Sequence, residues 1–403
     1  MPAEHPARPG PPLICNPSPA ANPAGPGSLL RAWLGCLALA LVPALLPATA
    51  TAMPAQLGIA AAKVSAATLG ATPDPVATTQ QAILAELLAD AADIGPLKAV
   101  VIARDGNVIA EQGYGSAGPD TATNIKSAAK VVVSALVGIA IERGLLSGTD
   151  QAVAPLLAAD LPADPDPRLA QITIGHLLSM QAGLERTSGA NYGRWVSSGN
   201  WVRAALSRPF VNEPGGRMLY STGSTHLLSA ILARLSGRST LALARDWLEP
   251  QEGFEISAWD RDPQGIHFGG NNMAMSTRSL LAFGELYRSG GLAADGRRVL
   301  TQDWIESSWT PRTQSRFTGD DYGYGWFLRE IAGEPVRYAW GFGGQMLYIV
   351  PALELTVAMT SDDSEASARS GHRDALHGLL GAIIRVLQSV PESATEPTAP
   401  PSA

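Results

Sequence analysis

The sequence predicts an α+β protein in which one sheet is built from both ends of a globular region, with an all-helical lobe inserted between them. Two β-rich segments joined by a tight turn stand near the start of this region, and three more stand near its end. Helical patterns fill the middle, at about 150–310. Hydrophobic residues make up 46% of the 403 residues, which is enough to bury a core of this size.

The region opens with a helix near Gln80–Ala91, followed by strands at Lys98–Arg104 and Val108–Gly113. The segment Asp105-Gly106-Asn107 between the two strands is typical of a turn. From Ser127 to Arg143 the pattern is helical and almost wholly apolar, and a glycine follows it. A helix that is apolar on every side is expected to lie in the core.

The rest of the region repeats these two patterns. Helices are expected in the middle at Ile174–Met180, His226–Leu235 and Ser276–Ser289. Strands are expected near the end at Val336–Trp340, Met346–Val350 and Leu355–Thr360, and a closing helix at about His372–Leu387.

The segments outside this region indicate export. Arg31 precedes an apolar run from Leu34 to Leu46, and small residues follow up to Ala52, which is typical of a secretory signal peptide. The run is shorter than the about 20 residues of a membrane-spanning helix, although an uncleaved membrane anchor is the alternative. We therefore divide the chain into a disordered amino terminus with a signal peptide (1–52), a linker (53–78), one globular domain (79–388) and a disordered tail (389–403).

Composition excludes several classes of function. With 29 basic and 36 acidic residues the net charge is -7, which argues against a nucleic-acid binder. Two cysteines, Cys15 and Cys36, are too few for a disulfide-rich scaffold or a multi-cysteine metal site. The six histidines include no His-Glu-x-x-His, and the Gly-x-Gly-x-x-Gly at 113–118 is not followed directly by a helix. We expect neither a metal nor a cofactor.

The chemistry is expected at Ser127-Ala128-Ala129-Lys130, a Ser-x-x-Lys at the start of the apolar helix. Residues three apart share a helical face, so the Ser127 hydroxyl and the Lys130 amine can meet. A neutral amine could accept the serine proton, and a helix amino terminus favours a developing oxyanion. The alternative is an ordinary helix start with a lysine that reaches solvent. That alternative is weakened by the apolar surroundings of Lys130, since a charge there needs a partner or a function.

Two further segments could complete a site. Tyr220 follows a Pro-Gly turn, and its hydroxyl could relay protons between Ser127 and a leaving group, although a buried tyrosine with a satisfied hydroxyl is the commoner case. The segment Trp340-Gly341-Phe342-Gly343-Gly344 leads into a strand, where glycines let the backbone approach a ligand and an N–H could bind an oxyanion. A glycine bulge is the alternative for this segment.

In this order, the three segments resemble the serine β-lactamase and penicillin-binding-protein superfamily. The sequence is most similar to class C β-lactamase-like serine hydrolases, which include esterases and 6-aminohexanoate-dimer hydrolases. Further similar stretches lie at 172–184, 283–287 and 322–326, so the resemblance covers nearly all of residues 80–388. It implies a β-lactamase/transpeptidase-like fold, in which an antiparallel sheet is flanked by helices and carries a helical lobe.

The resemblance also implies residue roles. Ser127 would be the acylated nucleophile, Lys130 would help to deprotonate it, and Tyr220 would act as general base or proton relay. The N–H groups of Ser127 and Phe342 would form the oxyanion hole, with Gly343 as another candidate donor. The substrate would lie against Trp340, Gly341 and Gly343.

Two departures from the family pattern bear on the substrate. Ala339-Trp340-Gly341 stands where β-lactamases carry Lys-Thr-Gly, so no cation is present to bind a carboxylate there. Thr222 stands where an asparagine amide is usual. We therefore expect a periplasmic or secreted serine hydrolase that acts on a small ester or amide, without a nucleic-acid partner or, after signal cleavage, a stable membrane partner. The alternatives are a D-Ala carboxypeptidase or β-lactamase on the same fold, and a catalytically silent binding module.

Overall fold

The structure, a computed structural model, describes residues 75–248, 250–364 and 371–389. Among these residues the principal helices are α1 Pro75–Asp90, α2 Ala129–Glu142, α3 Ile174–Leu178, α4 Tyr192–Val196, α5 Trp201–Leu206, α6 Thr222–Ser236, α7 Thr240–Trp247, α8 Thr277–Arg288, α9 Gln302–Trp309 and α10 His372–Gln388. The strands are β1 Leu97–Arg104, β2 Asn107–Gly113, β3 Thr123–Asn124, β4 Ala258–Trp259, β5 Met273–Met275, β6 Thr313–Gln314, β7 Asp321–Tyr322, β8 Phe327–Ile331, β9 Glu334–Gly341, β10 Gln345–Val350 and β11 Leu355–Ser361. The signal peptide predicted within residues 1–52 lies outside the described residues.

An antiparallel sheet of eight strands joins the two ends of the domain, in the order β2-β1-β11-β10-β9-β8-β7-β6. Strand β1, near the start, pairs with β11, near the end, so that Val101 lies opposite Ala358. The sheet is therefore built from both ends of the region, as the sequence predicts, and the α+β class is confirmed.

Alternate residues of the central strands enter two different cores. In β1, Val100 and Ile102 belong to the core beneath α1 and α10, whereas Val101 and Ala103 belong to the core that contains α2 and α8. A strand with apolar side chains on both faces must be covered on both faces. This explains why these strands read as continuous apolar runs in the sequence.

The insertion between the two halves of the sheet contains more than helices. Strands β4 and β5 lie within it, and β5 pairs with both β3 and β4 in a separate three-stranded sheet. Helix α8 packs against the large sheet, where Gly284 allows close contact with Leu347 and Thr356. Strands β6, β7 and β8 extend the large sheet by segments that the sequence analysis did not identify. Helix α1 begins at Pro75, inside the predicted linker, because proline suits the first turn of a helix.

The helices α6 and α7 follow each other after a sharp break. Helix α6 ends at Ser236 and is capped by Gly237, whose φ of 66° lies in the left-handed region that glycine adopts easily. Within the described part of the chain, no single helix has the length and apolar composition to cross a membrane. The pair formed by α6 and α7, bent by 79°, meets that criterion by length and composition only.

Packing of α8 against the sheet predicts that Gly284→Ala is destabilising. An added Cβ would lie 2.6 Å from Leu347 Cδ1 and 2.7 Å from Thr356 Cγ2. We expect the free energy of unfolding to fall by about 1–3 kcal/mol, because overpacking a buried contact outweighs the gain in helix propensity. Urea denaturation followed by circular dichroism measures the change.

Gly378→Ala in α10 is the matched control. This glycine is exposed, and an added Cβ would meet no atom within 4 Å. Here alanine is expected to raise the free energy of unfolding by up to about 1 kcal/mol, since only helix propensity changes. If both variants shifted stability in the same direction, the close contact of α8 with the sheet would be contradicted.

Candidate active site

Ser127 lies in a 3₁₀ turn, Lys126–Ala128, that leads directly into α2. The preceding Lys126 has a φ of 51°, an unfavourable left-handed conformation for a residue with a side chain. Two contacts hold it there: its N–H donates to Asn124 Oδ1 (2.9 Å), and its amine pairs with Asp363 Oδ2 (2.9 Å). Ser127 therefore sits in the turn before the helix, whereas the sequence analysis placed it in the helix itself.

Lys130 is buried at the centre of the site, with 2% of its surface exposed. Its Nζ lies 2.9 Å from Ser127 Oγ, 2.8 Å from the Gly270 carbonyl oxygen and 3.4 Å from Thr222 Oγ1. These three oxygens are uncharged, and burial lowers the pKa of Lys130 to about 7. A substantial fraction of the amine is therefore neutral near pH 7 and able to accept a proton.

Tyr220 closes the site beside Lys130, whose Nζ lies 5.1 Å from the centre of the tyrosine ring. Burial raises the pKa of Tyr220 to about 12, and a hydrogen bond with Ser127 counteracts part of this effect. The ring stacks on Phe327 at a centroid distance of 6.1 Å. Tyr220 is therefore a neutral phenol near pH 7, suited to donate or relay a proton rather than to act as a preformed phenolate.

The start of α6 is fixed by hydrogen bonds to the segment 187–188. The N–H of Thr187 donates to Ser221 Oγ (3.0 Å), and the N–H of Gly223 donates to Thr187 Oγ1 (2.8 Å). The N–H of Thr222 donates to Ser188 Oγ (2.9 Å), and the hydroxyls of Thr222 and Ser188 lie 3.0 Å apart. This network places Tyr220 and the Thr222 hydroxyl towards Lys130, although Thr222 has no side-chain amide.

The loop that supplies the Gly270 carbonyl was not identified from the sequence. A Cβ added at Gly270 would lie 2.9 Å from Lys130 Nζ, so a larger residue here would require the amine to shift. The preceding Gly269 N–H donates to His226 Nδ1 (3.5 Å), and His226 Nε2 lies 3.0 Å from Asp262 Oδ2. The His226 and Asp262 side chains are fully buried, so this pair anchors the loop from behind.

The end of β9 and the turn that follows it place two of the predicted residues in a cleft beside Ser127 and two others against neighbouring backbone. Trp340 and Phe342 line a cleft together with Ser127 and Tyr220. Gly341 faces the backbone before the nucleophile, where an added Cβ would collide with the Ile125 carbonyl oxygen. An added Cβ at Gly343 would lie 2.7 Å from the Asp362 carbonyl oxygen.

The cleft over Ser127 has a volume of about 250 Å³ and an aromatic lining. The sequence analysis missed three of its lining residues, Ser315, Phe317 and Phe327. Phe317 is 70% exposed and Phe342 is 46% exposed, which is unusual for large apolar side chains. Such exposure beside a nucleophile is typical of a surface that binds an apolar group.

A cation from another part of the chain lies near Ala339-Trp340-Gly341, a segment that contains no cation itself. The Arg373 guanidinium, from α10, lies 5.1 Å from the centre of the Trp340 ring and pairs with Asp374 (3.1 Å). No group of three or more His, Cys, Asp or Glu side chains in the described parts of the chain could hold a metal ion. The contact of Ser127 Oγ with the buried Lys130 amine, beside Tyr220, supports nucleophilic chemistry by side chains.

Comparisons with known proteins show the family of the chain and its fold. The β-lactamase family model matches residues 96–381. Among solved structures, a Bacillus anthracis protein assigned as a 6-aminohexanoate-dimer hydrolase shares 18% identity, with a TM-score of 0.61 over 74% of this chain and 81% of its own. The hydrolase EstCE1, which has promiscuous acyltransferase activity, shares 18% identity, with a TM-score of 0.61 over 76% of this chain and 98% of its own.

A third similar structure is the octameric penicillin-binding protein homologue from Pyrococcus abyssi. It shares 21% identity, with a TM-score of 0.57 over 75% of this chain and 77% of its own. No curated protein matches the chain. At these identities the solved structures establish the fold that the resemblance implied.

The close approach of Gly270 to Lys130 predicts that Gly270→Ala displaces the amine from Ser127. Reaction of Ser127 with a fluorophosphonate probe is expected to slow by about 10–100-fold, less than the up to 10⁴-fold that loss of a general base can cost. The rate of probe incorporation measures the effect. Gly118→Ala, where an added Cβ meets nothing within 4 Å, is the control and should label at the normal rate. Unchanged labelling of Gly270→Ala would show that the carbonyl loop does not position the amine.

Proposed function

Because the chain belongs to the β-lactamase family of serine hydrolases, we propose that it cleaves small esters or amides through an acyl-enzyme on Ser127. One observation carries the proposal: Ser127 Oγ lies 2.9 Å from a buried lysine amine and opens into an aromatic cleft. A nucleophile next to a base of lowered pKa is the arrangement that serine acylation requires.

In the first step, neutral Lys130 accepts the proton of Ser127 while Oγ attacks the substrate carbonyl carbon. The carbonyl π electrons move to the oxygen, which becomes an oxyanion. The resulting ammonium of Lys130 is stabilised by the Gly270 carbonyl and the Thr222 hydroxyl, both of which accept hydrogen bonds from it. These contacts exist before the reaction, so little reorganisation is needed.

The oxyanion would be bound by the N–H groups of Ser127 and Phe342. Ser127 precedes a helix of 14 residues, whose amino-terminal end favours negative charge. Phe342 lies in the turn between β9 and β10, which is closed by the Gly344 N–H donating to the Gly341 carbonyl (3.1 Å). That hydrogen bond does not use the Phe342 N–H, and Gly341 brings the end of β9 against the backbone before Ser127.

Tyr220 would carry the proton to the leaving group. It is a neutral phenol, hydrogen bonded to Ser127 and adjacent to the Lys130 amine. As the carbon–oxygen or carbon–nitrogen bond breaks, Tyr220 donates its proton to the leaving atom and recovers one from Lys130. Water then attacks the acyl-enzyme by the same steps in reverse order, which releases the acid and restores Ser127.

The lining of the cleft favours apolar esters or amides. Aromatic side chains supply most of its walls. The end of β9 offers Ala339-Trp340-Gly341 where β-lactamases carry Lys-Thr-Gly. The sequence before residue 53, with its apolar run and small residues, supports export to the periplasm or the medium.

Active-site labelling tests the proposed function. Wild-type protein is expected to incorporate a fluorophosphonate covalently and to hydrolyse p-nitrophenyl butyrate, whereas Ser127→Ala should do neither, because the nucleophilic oxygen is gone. Labelling is read by intact-protein mass spectrometry and turnover by released p-nitrophenol.

Ser134→Ala is the matched control, since Ser134 lies buried in α2, the helix that follows Ser127, and donates to the Tyr324 carbonyl (2.8 Å), away from the amine. It should retain labelling. Persistent labelling and turnover in Ser127→Ala would overturn the assignment of the nucleophile, and a wild-type protein inert to both reagents would overturn the proposed hydrolase.

The lowered pKa of Lys130 predicts a pH dependence. The neutral amine is the base, and its fraction falls about tenfold for each pH unit below a pKa of about 7. We therefore expect kcat/KM for a neutral ester to rise with pH up to about 7 and then to level off. In Lys130→Ala the residual activity should be about 10²–10⁴-fold lower and should not rise with pH in this range. The same rise of kcat/KM with pH in the variant would assign the titration to another group.

A further inference from the structure

We propose that Arg186, Arg217 and Arg316 form a subsite for a carboxylate group of the substrate. The inference rests on the proposed function and specifies its substrate class: a small ester or amide that is apolar at the scissile bond and carries a free carboxylate at a distance from it.

The three arginines line a second pocket that adjoins the cleft over Ser127. The pocket has a volume of about 220 Å³ and shares two walls with the cleft, Tyr220 and Phe317. Its remaining lining residues are Arg186, Arg217, Met218, Leu219 and Arg316. No acidic side chain is among them. Because the pocket and the cleft share two walls, one ligand could contact Ser127 in the cleft and the guanidinium groups in the pocket.

The arginines come from three separate segments, and each is tied to the catalytic site. Arg186 precedes Thr187, whose hydrogen bonds with Ser221 and Gly223 fix the start of α6. Arg217 lies three residues before Tyr220 on the same segment. Arg316 stands between Ser315 and Phe317, both of which line the cleft. Arg186 and Arg217 therefore lie on segments held by the contacts that position Tyr220, and Arg316 lies on the segment that lines the cleft.

These guanidinium groups lack anionic partners within the described ranges. No described carboxylate forms an ion pair with Arg186, Arg217 or Arg316. Arg186 packs instead on the Phe317 ring, 5.3 Å from its centre. The chain as a whole has a net charge of -7, whereas this pocket is lined by three arginines and no acidic residue. An anionic ligand would relieve their mutual repulsion.

A carboxylate suits this pocket by geometry as well as charge. Guanidinium is planar and presents parallel N–H groups that bind both carboxylate oxygens at once. Arg373, whose guanidinium lies near the Trp340 wall of the cleft, is already paired with Asp374 and stacked on Trp340. The carboxylate is therefore expected at the Tyr220 side of the cleft, beyond the Phe317 wall.

Two matched pairs of esters test the subsite and locate the carboxylate. On the acyl side, p-nitrophenyl hydrogen adipate is compared with p-nitrophenyl hexanoate, which has the same chain length without the charge. On the leaving-group side, 3-acetoxybenzoate is compared with its methyl ester. The full chain is expected to prefer the anionic member of one pair by at least about tenfold in kcat/KM, since hydrogen bonds to a charged group discriminate by that amount.

The double variant Arg217→Gln/Arg316→Gln should reduce this preference by about 10–100-fold. The control is Arg238→Gln/Arg297→Gln, which removes the same charge from two exposed arginines paired with Asp246 and Asp295. It should keep the preference, because long-range electrostatics are screened by salt. Arg373→Gln should also keep it.

The outcomes separate this inference from the proposed function. If neutral esters are hydrolysed at Ser127 without any preference for a carboxylate, the subsite is overturned and the proposed function stands. Equal loss in the two double variants, or loss of the preference in Arg373→Gln, would likewise overturn the arginine subsite. A protein that hydrolyses neither member of either pair overturns the subsite, and it overturns the proposed function as well if p-nitrophenyl butyrate and the fluorophosphonate also fail to react.

Discussion

The buried amine of Lys130 is the constraint on which the rest of the site depends. Removing a charged ammonium from water is costly, and no described carboxylate offsets that cost. The amine instead meets the Ser127 hydroxyl from the turn before α2, the Thr222 hydroxyl from α6 and the carbonyl of the loop at Gly270. Three parts of the chain must therefore converge within hydrogen-bond distance of one nitrogen. The turn before α2, the hydroxyl network at Ser188 and the His226–Asp262 pair each hold one of these parts in place.

Much of the fold could be predicted because its local patterns are strong. Helix α2 is apolar on every side and the central strands are apolar on both faces, so burial alone identifies them. Strands β6 and β7 could not be predicted, because each has two residues and exists only through pairing within the sheet. The packing of α8 on the sheet was also hidden, since its sequence shows a helix but not what lies opposite Gly284.

The candidate site divides in the same way between local and long-range features. Ser127 and Lys130 are three residues apart, so helical geometry suffices to bring them together. The Gly270 carbonyl lies 140 positions from Lys130, and no periodicity connects the two. The left-handed conformation of Lys126 escaped prediction for a related reason: it is imposed by Asn124 and the distant Asp363, not by its own preference. The cleft residues Phe317 and Phe327 likewise become neighbours of Ser127 only in the folded chain.

Burial assigns different protonation states to the two titratable groups beside Ser127. The same loss of water disfavours the charged form of each, which lowers the pKa of Lys130 to about 7 and raises that of Tyr220 to about 12. Before reaction Tyr220 is neutral near pH 7 and a substantial fraction of Lys130 is neutral, so the pair can hold one proton acceptor and one proton donor. A carboxylate in place of the Gly270 carbonyl would keep Lys130 protonated and remove the acceptor. The uncharged oxygens around the amine are therefore what allow a lysine to act as a base here, and this explains why a threonine hydroxyl at position 222 is compatible with the site.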